Sequence, residues 1–362
     1  MTLNIIQWGT GSVGKVCLRE IIQNPEFSLI GVKVNAAAKA GKDAGELCGL
    51  PDTGIFAMAN RGDLPLANAD CILYTPQVAD YDEIASFLEA GIDVVTTASN
   101  VYPKFYGPAV YDKLQNAALK GGSSFHGSGV NPAFMSEVLP LTLSGISHRA
   151  SRITVREVSD VNHYASTAPE IMLDHVGFGK PPAVALGPAD AFLKGMNDYF
   201  GESMLMIADH LGVTLDRIEH HHEVAIAKSR VVLDCGRTIE PGTVGCRRFE
   251  WRGIVGGRVA IVLSTYWKLT MDLEPAWDVV SERTVEWTIT VEGVPSVQCK
   301  VSTCASFDPS SPNYLKQGEE AAVIATAVHA VNAIPYVHAA APGIQTFLDL
   351  PIIGSRGAFR GL

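Results

Sequence analysis

The sequence predicts an α/β protein whose N-terminal part is a doubly wound parallel sheet, followed by a second α+β domain and a C-terminal helix that returns to the first domain. Two observations predict this class. Short apolar runs alternate with helical patterns over residues 1–150, and longer strands of alternating polarity dominate after residue 150. Because 362 residues suit two domains, we place the domains at 1–150 and 151–315, with 316–362 packing back on the first.

The first element is an apolar run at residues 4–8 that leads into Gly9, Gly11 and Gly14, at Gly-x-Gly-x-x-Gly spacing. A helical pattern follows until Asn24-Pro25, and then a second strand pattern, as a βαβ unit requires. Gly9 permits a tight turn, Gly11 lets the backbone approach a pyrophosphate, and Gly14 lets the helix pack closely on the strand. An ordinary glycine turn is the weaker alternative here. The predicted dinucleotide-binding turn is Gly9, Thr10, Gly11, Ser12, Val13 and Gly14.

Asn35 begins the segment after the second strand, where NAD-specific folds usually carry an acid that binds the ribose 2′-hydroxyl. With Asn35 in that place and Lys39 and Lys42 nearby, a 2′-phosphate would be tolerated. We therefore expect NADP(H) to be the favoured cofactor, with NAD(H) as the second possibility. The alternative is that both lysines are ordinary solvated residues of a surface loop.

Further strand patterns at residues 69–76 and 93–98 flank a helical pattern at 81–90. This alternation implies a parallel sheet with helices on both faces, the Rossmann arrangement, in which ligands bind beyond the carboxyl ends of the strands. Three loops follow predicted strands in this way, and we expect them to converge near the nicotinamide. Their candidate cofactor-binding residues are Thr75, Pro76, Ser99, Asn100 and Asn131.

The second domain begins with an alternating strand at 152–158 and continues with one or two helices over 188–211 and a β-rich stretch over 219–304. We expect its strands to form an open antiparallel sheet with helices on one face. The last pattern, at 318–338, predicts a helix rich in Ala and Val.

This last apolar segment is long enough to cross a membrane, because residues 321–341 contain no Asp, Glu, Lys or Arg. His329, Asn332, Pro335 and His338 interrupt it, so a buried packing helix is the better interpretation. A formal net charge of −10 also argues against binding to nucleic acid or to an anionic membrane.

Seven cysteines without a Cys-x-x-Cys pair indicate a reduced, cytoplasmic protein, and the N-terminus shows no signal-peptide pattern. His220, His221 and His222 form the sharpest candidate for a metal site. Adjacent residues of a strand point to opposite faces, so at most two of these histidines share a face. We therefore favour an exposed strand edge and expect no metal.

Four segments, at residues 9–14, 39–49, 127–134 and 331–335, together resemble the dihydrodipicolinate-reductase-like family that includes 2,4-diaminopentanoate dehydrogenase and the native amine dehydrogenases. The resemblance spans nearly the whole chain, and its more specific parts are Gly129-Val130-Asn131-Pro132 and Asn332-Ala333-Ile334-Pro335. It implies a Rossmann domain, a second domain that completes the site and carries the contact of a homodimer, NAD(P)H as the cofactor, and reductive amination of a carbonyl or its reverse.

One loop departs from the family. In the amine dehydrogenases, the loop after the strand matching 93–98 carries a glutamate that handles ammonia. Here that loop reads Ser99-Asn100-Val101-Tyr102-Pro103, and an amide cannot take a proton as a carboxylate can. Two functions stay open: an NAD(P)H-dependent oxidoreductase acting on a carbonyl or imine carbon of a small, fairly apolar substrate, and an NAD(P)-binding sensor or scaffold without turnover.

Hydride transfer also needs a proton donor for the heteroatom of the substrate. Tyr102 follows a strand at the expected rim of the site, and other candidates follow the first strand of the second domain. Two familiar signatures do not match. No tyrosine has a lysine four residues later, and the histidines at 220–222 are not followed by the Gly-Thr anion loop of true dihydrodipicolinate reductases. The candidate catalytic residues are Tyr102, His163, Tyr164 and His175.

Overall fold

The computed structural model describes residues 2–187, 191–314 and 321–356. The chain divides into two compact units, Met1–Phe134 with Val323–Leu362 (unit 1) and Met135–Ala322 (unit 2). The first division thus follows Phe134, whereas the sequence analysis placed it after residue 150. The intervening helix Leu139–Ser144 packs on strands of unit 2, which assigns this stretch to that unit.

Unit 1 is built on a seven-stranded sheet in which each pair of neighbouring described strands is parallel. With strands numbered along the whole chain, its members are β1 Leu3–Trp8, β2 Phe27–Lys33, β3 Ala57–Met58, β4 Cys71–Tyr74, β5 Asp93–Thr96, β6 Ser124–Gly127 and β16 Gly343–Ile344. Their order is β16-β6-β5-β4-β1-β2-β3. The strand order reverses between β1 and β4, which is where Rossmann sheets bind their ligands. The predicted doubly wound parallel sheet is confirmed.

Helices cover both faces of this sheet, and those of unit 1 are α1 Ser12–Gln23, α2 Ala44–Cys48, α3 Tyr81–Glu89, α4 Pro108–Gly121 and α9 Ala321–His338. On one face, α1 and α9 bury apolar side chains against Ile5, Leu73 and Val95. On the other, α3 and α4 pack against Ile72 and Val94. Short 3₁₀ turns lie at Ala37–Lys39, Arg61–Asp63, Leu66–Asn68 and Pro103–Tyr106.

The apolar helix α9 is a core helix of unit 1. By length and composition alone it could cross a membrane. Six of its side chains are instead buried in the cluster shared with α1 and the sheet, namely those of Ala327, Ala330, Val331, Ala333, Ile334 and Val337. The predicted return of the C-terminal helix to the first domain is confirmed. The first residues of that predicted helix, 318–320, lie outside the described residues.

The strands of unit 2 are β7 His148–Asp160, β8 Arg217–Ala227, β9 Val231–Val232, β10 Thr238–Ile239, β11 Val244–Val255, β12 Arg258–Lys268, β13 Leu273–Glu274, β14 Val285–Val294 and β15 Val297–Ser302. They form a second seven-stranded sheet, of order β13-β8-β11-β12-β7-β14-β15, and a two-stranded ribbon of β9 and β10. Its helices are α5 Leu139–Ser144, α6 Asn162–Thr167, α7 Pro182–Ala185 and α8 Ala191–His210, with a π-helical turn at Glu170–His175. The segment Val130–Val138 leads from unit 1 into unit 2 and has non-helical torsions at Asn131, Pro132 and Ala133.

The expectation of a purely antiparallel second sheet was wrong, because β7 and β12 pair in parallel. A parallel pair needs a long crossover connection. The chain supplies one between β7 and β12, which includes the helices α6, α7 and α8 and the antiparallel pair β8 and β11. The second sheet is therefore mixed. The predicted helical region at 188–211 is a single helix over its described residues, and residues 188–190 lie outside them.

Candidate active site

The turn after β1 requires glycine at position 9. Gly9 has a φ of +97°, a backbone conformation that residues with a Cβ rarely adopt. A Cβ there would also lie 3.2 Å from the Thr75 carbonyl carbon. The backbone therefore turns sharply out of β1 and passes close to the end of β4.

Gly14 and Gly11 are glycines for different reasons. A Cβ on Gly14 would lie 2.3 Å from the carbonyl oxygen of Gly9, so close packing of α1 on the turn excludes any side chain there. A Cβ on Gly11 would have no described heavy atom within 4 Å. Protein packing and backbone torsion therefore do not explain Gly11. Open space in front of its backbone fits the approach of a phosphate group.

The N-terminus of α1 is suited to an anion. Its N-cap residue is Gly11, which has no side chain to accept hydrogen bonds from the first N–H groups, and the first turn holds no acidic residue among Ser12–Lys15. The first helical N–H groups and the positive end of the helix dipole are thus directed at the open space beside Gly11.

Two polar side chains, those of Gln7 and Thr75, hold the glycine turn in place through hydrogen bonds. The Gln7 amide nitrogen donates to the Gly9 carbonyl oxygen at 2.8 Å and to Thr75 Oγ1 at 2.9 Å. The Thr75 hydroxyl lies 3.1 Å from both the Trp8 and Gly9 carbonyl oxygens. Thr75, a predicted cofactor-binding residue, therefore positions the turn, with Pro76 directly after it. Gln7 was not predicted, although a polar residue in an otherwise apolar strand was the available signal.

The segment after β2 is basic around Asn35. Lys33 Nζ donates to Asn35 Oδ1 at 2.9 Å and lies 5.7 Å from the centre of the Trp8 ring. Lys39 Nζ donates to the Thr10 carbonyl oxygen at 2.7 Å, which ties this segment to the glycine turn. Burial and the nearby charge of Lys15 lower the pKa of Lys39.

The other lysine that the sequence analysis placed near the cofactor, Lys42, has a different partner. Lys42 pairs with Glu46 at 2.5 Å on the surface. The first acid after β2, Asp43, is buried as the N-cap of α2 and accepts hydrogen bonds from the backbone of Gly45, Thr53 and Gly54. Those backbone bonds hold the pKa of Asp43 below its usual range. The basic segment therefore consists of Lys33, Asn35 and Lys39.

The loop after β5 holds two consecutive left-handed residues, Ser99 with φ +59° and Asn100 with φ +67°. Such strain in residues other than glycine is concentrated at functional sites. Asn100 is 2% exposed; its Oδ1 accepts from the Tyr81 hydroxyl at 2.8 Å, and its amide donates to the Ala98 carbonyl. A Cβ on Gly127 would lie 2.2 Å from the Asn100 carbonyl oxygen. The ends of β5 and β6 are thus in close contact.

The loop after β6 contacts a histidine of α9, His329, which the sequence analysis did not identify as a candidate site residue. The Ser128 N–H donates to the Thr96 carbonyl oxygen at 2.8 Å, and Ser128 Oγ lies 3.1 Å from His329 Nδ1. The His329 ring stacks on Phe347 and meets Phe134 edge-on. Burial lowers the pKa of His329 to about 4, so the ring is neutral at neutral pH.

His126 lies beneath this pair at the end of β6. Its Nδ1 lies 2.7 Å from the Gln345 carbonyl oxygen, and its ring meets Phe347 edge-on. Burial lowers the pKa of His126 to about 4. In the same loop, Asn131 precedes Ala133, whose φ of +132° is rare for alanine. The available signal for His329 was its interruption of an apolar helix, which we had used only as an argument against a membrane span.

The four predicted catalytic residues fall in different units. Tyr102 is buried in unit 1, where it lines a cleft of about 510 Å³ whose other walls are Pro103, Lys104, Gly107, Pro108, Tyr111, Asp112, Ile344, Thr346, Leu348 and Asp349. His163 and Tyr164 are neighbours in α6 of unit 2, and burial raises the pKa of Tyr164. His175 is exposed at the end of the turn Glu170–His175.

The histidines of β8 are arranged as the strand period requires. His220 and His222 share a face, with ring centres 6.3 Å apart, and His222 Nε2 lies 2.9 Å from Asn197 Oδ1. Within residues 2–187, 191–314 and 321–356, no group of three or more His, Cys, Asp or Glu side chains is placed to hold a metal ion.

Known proteins resemble this chain over most or nearly all of its length. The family model for the 2,4-diaminopentanoate dehydrogenase C-terminal domain matches residues 134–358. An amine dehydrogenase of Streptomyces virginiae is 28% identical over 367 residues, covering 97% of this chain and 96% of the relative. A 2,4-diaminopentanoate dehydrogenase of Acetoanaerobium sticklandii is 25% identical over 296 residues, covering 78% and 73%. The solved amine dehydrogenase of Mycobacterium smegmatis has a TM-score of 0.74 at 18% identity, covering 98% of both chains.

The parallel sheet, the glycine turn and these relatives define the class of protein as an oxidoreductase with a Rossmann unit. The family model covers more than half of the chain. The protein therefore belongs to the 2,4-diaminopentanoate dehydrogenase family, and the resemblance seen in the sequence is confirmed.

Proposed function

We propose that the protein is a nicotinamide-dependent dehydrogenase that interconverts an amine and the corresponding carbonyl compound. Gly11 is the observation that carries the cofactor part of the proposal, because it faces open space at an uncapped helix N-terminus while packing and torsion fix the other two glycines. Two relatives named as dehydrogenases, one similar over 97% of this chain and the other over 78%, support the reaction type. They do not favour the alternative of a sensor or scaffold without turnover.

The chain's own residues have distinct roles in this proposal. The N–H groups at the start of α1 bind the pyrophosphate, and the strained loop at Ser99 and Asn100, together with Asn131, holds the nicotinamide end. The nicotinamide, when bound, supplies or accepts the hydride. Lys33, which donates to Asn35, and Lys39, which donates to the Thr10 carbonyl oxygen of the glycine turn, are two cations that would accommodate a 2′-phosphate, and they support NADP(H) over NAD(H) in this proposal.

The proton donor comes from the set Tyr102, His163, Tyr164 and His175 in this proposal. Tyr102 is the first choice, because it is buried on the loop that follows β5 and lines a cleft. We further propose a small, fairly apolar substrate, a homodimer, as twofold homodimers are the commonest oligomers, and a cytoplasmic location. The net charge of −10 supports a protein that binds neither nucleic acid nor an anionic membrane surface.

An absorbance assay of the reduced nicotinamide tests the function. The protein is incubated with NADPH or NADH and a panel of ketones, with and without ammonia. We expect oxidation of the cofactor only when ammonia is present. Turnover without ammonia would identify a ketone reductase instead, and tight cofactor binding without turnover across the panel would favour the sensor. In the same assay, an unchanged rate for Tyr102→Phe would remove Tyr102 as the proton donor.

A further inference from the structure

One side chain of α9 contacts both ends of the loop that carries Asn131. This loop, residues 128–134, follows β6, and we call it the β6 loop. At its first residue, Ser128 Oγ lies 3.1 Å from His329 Nδ1. At its last residue, the Phe134 ring meets the His329 ring edge-on, with ring centres 5.3 Å apart. The imidazole of His329 therefore connects the start of the β6 loop to its end.

The imidazole is itself held in place from its other side. Phe347 stacks on it with ring centres 5.4 Å apart, and Phe347 also meets the fully buried His126 ring edge-on. His126 Nδ1 lies 2.7 Å from the Gln345 carbonyl oxygen, so the segment after β16 fixes both rings. Burial lowers the pKa of both histidines to about 4, which leaves the two imidazoles neutral at neutral pH.

The backbone of the β6 loop needs such support. Ala133 has a φ of +132°, and a residue with a Cβ keeps such a conformation only where surrounding contacts hold it. The Ser128 N–H donates to the Thr96 carbonyl oxygen at 2.8 Å, which ties the start of the loop to the end of β5. Phe134 directly follows Ala133, so its contact with His329 holds the strained position from the other side.

The order of the strands puts the β6 loop towards the nicotinamide half of a dinucleotide. β4, β5 and β6 lie on one side of β1, and β2 lies on the other. With the pyrophosphate at the turn after β1 and the 2′-phosphate after β2, as proposed above, the nicotinamide extends towards β4, β5 and β6. We propose that His329 is a positioning residue, whose contacts with Ser128 and Phe134 hold the β6 loop so that Asn131 binds the nicotinamide end. This inference rests on the proposed function.

A pair of dinucleotide probes tests this role without turnover. In the intact protein, the reduced cofactor that the wild type binds more tightly is compared with the same molecule lacking nicotinamide, which is 2′-phospho-ADP-ribose for NADPH or ADP-ribose for NADH. His329→Phe keeps an aromatic ring beside Phe347 and Phe134, removes the hydrogen bond to Ser128 and changes no charge, because the imidazole is neutral.

We expect His329→Phe to weaken binding of the reduced cofactor on the order of 3- to 10-fold and to leave the Kd of the nicotinamide-free probe unchanged. Isothermal titration calorimetry measures both values. General damage to unit 1 would weaken both probes alike. Equal weakening of the two probes, or unchanged affinity for both, would overturn the proposal.

Ser128→Ala tests whether the effect passes through the hydrogen bond. Because Ser128 and His329 share that bond, the double variant should bind the reduced cofactor no more weakly than His329→Phe alone. Additive losses in the double variant would refute the bond as the route. Ser128→Ala removes only a hydroxyl group, so its selective loss of the reduced cofactor decides the question if His329→Phe does not fold.

His338→Phe is the matched control on the same helix. His338 ends α9 and pairs at 2.8 Å with Asp93, the first residue of β5, at the opposite edge of the sheet from the β6 loop. Loss of this pair should lower Tm and leave the ratio of the two Kd values at the wild-type value. A shift of the ratio as large as in His329→Phe would show that any disturbance of α9 has this effect, and the inference would fail.

The outcomes separate the inference from the function that it deepens. If the wild-type protein binds neither reduced cofactor, the inference and the proposed function fail together. If the wild type turns over amines while His329→Phe and Ser128→Ala bind the reduced cofactor normally, the inference fails and the function stands. If His329→Phe selectively weakens the reduced cofactor but the wild type turns over no compound of the panel, the inference stands and the dehydrogenase activity fails.

Discussion

Gly9, Gly11 and Gly14 are glycines for three separable physical reasons. Torsion requires Gly9, since its φ is +97°, and packing requires Gly14, since a Cβ there would meet a backbone oxygen at 2.3 Å. Gly11 has neither constraint in the described structure. A spacing motif read from sequence treats the three alike, whereas the structure separates the residues that shape the turn from the one that faces a ligand.

Alanine substitutions should therefore affect different properties at two of these positions: stability at Gly14 and cofactor affinity at Gly11. In Gly14→Ala, the backbone must shift, which should cost about 1–3 kcal/mol and lower Tm. In Gly11→Ala, the new methyl enters open space, so Tm should stay near the wild-type value while the Kd for the dinucleotide rises on the order of tenfold. Thermal melts and cofactor titrations of both variants measure this.

Gly62→Ala supplies the control for these variants. Gly62 lies in a surface turn of the same unit, and an added Cβ would have no described atom within 4 Å. This variant should match the wild-type protein in both measurements. A Gly11→Ala protein with unchanged cofactor affinity would remove the assignment of the pyrophosphate to this turn.

At the scale of elements, the segment after β2 decides the proposed cofactor preference. Sequence proximity suggested Lys42, but residue 42 faces Glu46 on the surface, and Lys33 at the end of β2 contacts Asn35 instead. Strand periodicity predicts which strand ends at the site. It does not predict which of several flexible lysines forms an ion pair with a nearby acid, because the pairing depends on the local turn at residues 39–43.

Asn35→Asp tests this segment directly. An aspartate would pair with the Lys33 ammonium, which lies 2.9 Å from the side chain of residue 35, and would accept a hydrogen bond from a ribose 2′-hydroxyl while repelling a 2′-phosphate. We expect the ratio of Kd values for NADPH and NADH to shift towards NADH on the order of tenfold or more. Fluorescence titration with each cofactor measures the ratio.

Lys42→Ala is the matched control for the cofactor preference, because Lys42 pairs with Glu46. It should leave the ratio unchanged. If Lys42→Ala shifted the ratio as strongly as Asn35→Asp, the basic segment defined by Lys33, Asn35 and Lys39 would be the wrong assignment.

At the scale of the whole molecule, the features that local sequence patterns predicted are those formed by residues close together in the sequence. The βαβ start, the glycine turn and the strand ends after β4 and β5 belong to this group. Contacts between distant residues could not be predicted in this way. Ser128 and His329 meet across 201 positions, and indoles 110 and 130 positions away donate to the Glu157 carboxylate. Their partners depend on sheet order and on the return of α9, which periodicity in one segment does not encode.

The return of α9 makes unit 1 discontinuous, and its stability should depend on both pieces of chain. Burial of Val331, Ile334 and Val337 contributes about 1.5–3 kcal/mol per side chain, so about 5–9 kcal/mol together. This is comparable to the whole stability of a typical domain, about 5–15 kcal/mol. We therefore expect a fragment of residues 1–134 not to fold alone.

Joining residues 1–134 to 323–362 through a short Gly/Ser linker should restore a folded, dinucleotide-binding unit, because Phe134 already contacts His329 of α9, with ring centres 5.3 Å apart. Circular dichroism, thermal melts and NADPH titration compare the two proteins. Within the joined protein, Ile334→Asp should unfold the unit, whereas Ile324→Asp, at a position 39% exposed, should be tolerated. A cooperative melt of residues 1–134 alone would show that the sheet carries its own stability and that α9 is an accessory helix.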